Sequence, residues 1–277
     1  MGDTAESVDT AESVDTARTA ALLHEVARAS SGLVVLDPGL SDEVLDSWPV
    51  PVPEEIRVLL RAVAGVRITT ERSPVNGHES TEHIDLVHPY NSGRYAGYDV
   101  GWYLEHAGGS GTHWFVRTDM GDGHDYVDVD RSTGAWGPVF RFWDATDTVR
   151  LAPSLPAWLD ALADCLREAL EETVAGAAVP AGTDGAAIVH AFGRRFSDAW
   201  AALDENPTDV EPVTAARAAA GADPLLREAA ADLPPDALLA DLRPVPGPAR
   251  VVFDHVTCRY ARRAGGAVLI ATDWEDA

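Results

Sequence analysis

HWFVRTDMGDGHDYVDVDRSTGAWGPVFRFW, residues His113–Trp143, decides the fold class. Three runs rich in aromatic and β-branched residues, His113–Thr118, His124–Val129 and Trp136–Trp143, read as strands. Between them stand DMGDG (Asp119–Gly123) and DRSTG (Asp130–Gly134), whose Asp and Gly residues are turn formers. Strands joined by such short turns predict an antiparallel meander. Pro138 has no N–H to give to a ladder, so the third strand is predicted to lie at a sheet edge or to begin after it.

Helical patterns flank the meander. Downstream, Ser154 is placed to cap a helix over Leu155–Thr173 with Trp158, Leu159, Leu162, Leu166 and Leu170 on its inner face. Upstream, Pro53 suits the first helical position and Glu54 and Glu55 suit the first turn. Ile56, Leu59, Leu60 and Val63 form that helix's apolar face, and Gly65 is expected to end it. WPVPVP (Trp48–Pro53) must be extended, because each Pro disfavours helix in the residue before it. Before it come a helix over Thr19–Ala29, a short strand in GLVVLDPG (Gly32–Gly39) and a brief helix capped by Ser41. The stretch Arg67–Gly111 is polar, Gly-rich and without a clear period.

The expected class is α+β: a central, largely antiparallel sheet flanked by helices, with an added helical C-terminal unit ending in a β-hairpin. Residues 1–17, with their repeated DTAESV, are expected to be a disordered acidic tail, because they carry too little apolar area to offset ordering entropy. Residues 18–175 form the α+β domain, 176–185 a small-residue linker and 186–277 the helical unit. That unit opens with Ile188, Val189, Phe192, Phe196 and Trp200 on one stripe, and closes with a hairpin over Arg250–Tyr260 and Ala267–Thr272.

Charge narrows the function. There are 45 acidic residues against 21 basic ones, all arginine, for a net charge of −24. Such a field opposes nucleic acid and anionic membranes and favours a basic protein partner. No apolar run reaches membrane-spanning length, the N-terminus lacks a signal-peptide pattern, and Cys165 and Cys258 form no CxxC pair. A cytoplasmic, reduced protein is expected. Its oligomeric state is left open.

Chemistry-bearing motifs are sparse. The Asp cluster 119–130 fails the calcium-loop pattern, since Gly121 and Gly123 stand where oxygen ligands belong. HESTEH (His78–His83) spaces its histidines by five, not the four that puts both on one helix face. Ser110 in GGSGTH lacks a nucleophile-elbow context. No catalytic residue, metal site or cofactor is expected. The meander's outer face is the candidate contact surface: Asp122, Asp125, Asp128 and Asp130 supply charge, and Tyr126 an aromatic anchor. Arg250, Arg259, Arg262 and Arg263 make one basic spot, expected to pair within the molecule.

The order of these pieces resembles the SUKH superfamily, fungal cell-wall synthesis regulators and bacterial toxin-immunity proteins. The resemblance runs over Leu33–Thr173. It rests on Trp48, PEEIRVLLRAVAG, the DMGDG hairpin, WGPVF and APSLPAWLDAL. It implies a non-enzymatic protein-binding domain, with Gly65, Asp119, Gly121, Gly123, Gly137 and Trp158 structural. An immunity protein that neutralises a basic, nuclease-type toxin is the leading expectation. A regulatory or scaffolding module is the alternative, and a metal-dependent hydrolase using the Asp/His-rich middle is the third.

Overall fold

A computed structural model of the chain describes residues 16–47, 51–72, 79–86, 112–118, 123–129, 134–143, 147–176, 185–204, 207–253 and 258–273. The protein is a mixture of helices with antiparallel and mixed sheets. Helix α1 (Thr16–Ala29) precedes β1 (Val34–Pro38) and α2 (Asp42–Asp46). Ser41 caps α2 as expected, accepting from the Val44 amide. The helix begins two residues inside the segment assigned to the acidic tail; residues 1–15 lie outside the described residues.

Helix α3 (Glu54–Ala62) runs directly into β2 (Val63–Arg72). Gly65 therefore ends no helix. It sits within β2, where an added Cβ would meet Asp37 Oδ2 at 2.7 Å and the Ile84 carbonyl at 2.9 Å. Val63–Gly65, read as a helix end, instead open a strand in which Val63, Ala64, Val66 and Ile68 are buried. β3 (Glu79–Asp85) completes an antiparallel sheet in the order β1–β2–β3.

The meander is present as β4 (Thr112–Thr118), β5 (Gly123–Val129) and β6 (Trp136–Trp143). β6 is not an edge, because β7 (Asp147–Ala152) pairs along its other side. Pro138 is tolerated at a bulge. Val127 pairs with Val139 and Val129 with Trp136, leaving Gly137 and Pro138 together opposite Asp128. The β6–β7 ladder begins only at Val139.

Helix α4 (Leu155–Gly176), with Ser154 at its start, and helix α5 (Gly185–Asp204) pack together. Trp158, Leu159, Leu162 and Leu166 of α4 and Phe192 and Phe196 of α5 enter one core with the first helices and sheets. Each fully buried leucine contributes roughly 1.5–3 kcal/mol. Phe192, Phe196 and Trp200 of that stripe thus pack in the first core.

After α5 the chain carries two short helices and six short strands, more strand than a helical unit with one terminal hairpin would hold. β8 (Thr208–Asp209) and β11 (Ala249–Val252) extend the meander into a six-stranded sheet, ordered β4–β5–β6–β7–β11–β8. β9 (Val213–Thr214), β10 (Leu238–Asp241), β12 (Cys258–Arg263) and β13 (Val268–Asp273) make a second sheet, ordered β12–β13–β10–β9. The terminal hairpin is β12–β13, and Ala249–Val252 belongs to the other sheet. Helices α6 (Ala215–Ala220) and α7 (Pro224–Ala230) cover the second sheet's far side through Ala218, Ala229, Leu239 and Ile270. The layers run helix, sheet, sheet, helix. Arg150 on β7 ties the C-terminal part down, donating to the carbonyls of Leu242 (2.9 Å), Val245 and Gly247 (2.8 Å).

Candidate functional site

The predicted contact face is not an outer face. Asp122 and Asp130 lie outside the described residues. Tyr126 and Asp128 do point away from Val127 and Val129, as alternation requires. The second sheet covers that side. Tyr126 and Phe140 pack against Ala240, Leu242, Leu269 and Ala271, and Tyr126 is 2% exposed. Asp125 projects to the opposite side, is equally buried, and takes a bidentate pair from its cross-strand neighbour Arg141 at 2.7 and 3.0 Å. The exposure expected at Asp125, Tyr126 and Asp128 is therefore corrected. Alternation assigned the side correctly but carried no information on what lies over it.

The covering element brings Arg262, whose side chain is 3% exposed. It donates to the Tyr126 hydroxyl, lies 3.4 Å from Asp128 Oδ1, and sits 4.5 Å from the Phe140 ring centroid and 5.0 Å from that of Tyr126. Burial pushes its pKa down to about 9. The Asp128 carboxylate and the two ring faces act in the opposite direction, favouring the charged form. The hairpin turn seats on the β6 bulge: a Cβ on Gly266 would meet Pro138 Cδ at 2.7 Å, and its φ of +82° is one that glycine adopts freely. This cluster is a clamp between sheets. Three of the basic spot's arginines pair internally, as expected, through Arg250–Asp209, Arg262–Asp128 and Arg263–Asp232; the Arg259 side chain lies outside the described ones.

The histidine segment is strand, not helix. His83 on β3 reaches across β2, over Gly65, to Asp37 Oδ2 at 2.9 Å, and Arg67 Nε meets Asp37 Oδ1 at 2.8 Å. His78 lies outside the described residues. Among the described residues no group of three His, Cys, Asp or Glu side chains is gathered to hold a metal ion.

The candidate site is a cleft that sequence reading missed. A Cβ on Gly193 of α5 would fall 2.0 Å from the Thr70 carbonyl of β2, so helix and strand backbones touch there. Further along the helix the two elements enclose about 250 Å³, lined by Ile68, Glu82, Ile84, Phe196, Ser197, Trp200 and Ala201. Phe196 and Trp200 stack at 6.0 Å between centroids, and Trp158 meets Trp200 edge-on at 5.4 Å. Glu82 pairs in register with Ile68 and precedes Ile84 by two, so it stands on the same side of β3 as Ile84, exposed at the cleft's rim. The polar look of HESTEH hid that placement. Across the described residues Arg57, Arg61, Arg67, Arg141, Arg243 and Arg250 each hold a carboxylate within 2.8 Å.

No family model, no curated protein and no solved structure matches this chain.

Proposed function

We propose that this chain is a non-enzymatic cytoplasmic binding protein of SUKH type that neutralises a basic protein toxin. The carrying observation is electrostatic: a net charge of −24 on a chain several of whose arginines are engaged with its own carboxylates. Such a surface attracts a cationic protein from a distance and competes with nucleic acid for its groove. The order of α3, the meander and α4 with a buried Trp158 supports the SUKH-type reading.

Stopped-flow mixing with a basic nuclease-type toxin domain tests the electrostatic part. The association rate should fall about tenfold or more between ~50 and ~500 mM NaCl. Binding with a flat salt dependence, or no binding, contradicts the proposal.

A further inference from the structure

We draw no further inference here: the strongest candidate, the cleft between helix α5 and strand β3 lined mainly by the apolar side chains of Ile68, Ile84, Phe196 and Trp200, carries none because nothing in the structure shows what covers it.

Discussion

Replacing Arg262 with Met asks whether the second sheet really covers the meander. The substitution keeps an apolar stem between Phe140 and Tyr126 but removes the charge beside Asp128, whose side chain is 12% exposed. Taking one partner from a buried ion pair costs about 3–5 kcal/mol, because the other charge stays desolvated. At a urea m-value of about 3 kcal/mol/M, the unfolding midpoint should fall by roughly 1–1.5 M. Replacing both partners, Arg262→Met with Asp128→Leu, should recover most of the loss, since an apolar pair of similar volume is often as stable as the ions it replaces. The assay is urea denaturation of the wild type, both single variants and the double, followed by far-UV circular dichroism. A midpoint for Arg262→Met within about 0.3 M of wild type, which is under 1 kcal/mol, would refute the clamp. It would return Tyr126 and Asp128 to the list of exposed contact residues.

Gly193→Ala should destabilise the protein by about 2 kcal/mol or more despite a helix-propensity gain of about 1 kcal/mol, because the new Cβ would lie 2.0 Å from the Thr70 carbonyl; thermal unfolding reads this directly. A fragment ending at Gly176 should fail to give a cooperative unfolding transition, since it loses Phe192 and Phe196 from the first core and β11 from the edge of β7. Hydrogen bonds from Arg243 hold the Asp223 and Asp241 carboxyls below their ordinary 3.8. The stability they lend is therefore complete above that value and is lost as pH falls through the lowered folded values. Urea midpoints at about pH 6 and pH 3 should differ less in Arg243→Gln than in wild type.

The meander, α3 and α4 were legible because their signals are local: turn residues between β-rich runs, and apolar stripes behind capping residues. Val63–Ile68 was not, because a buried strand following a helix without a break continues the apolar run, and Gly65 mimics a terminator. The C-terminal part was misread for a different reason. Its strands are two to six residues long and pair with distant partners, β11 with β7 across about a hundred positions, so no local period announces them. The same long-range docking hid the fate of Tyr126 and Asp128, and of the cleft, whose wall and floor come from Phe196–Ala201 and Ile68–Ile84.

Co-expression in living cells tests the central claim most directly. A basic nuclease-type toxin is induced with and without the full chain, and surviving colonies are counted. The account predicts that the folded wild-type chain restores growth, and that reversing charge on its exposed carboxylates weakens protection. Killing that proceeds undiminished in the presence of abundant, folded wild-type chain would contradict it.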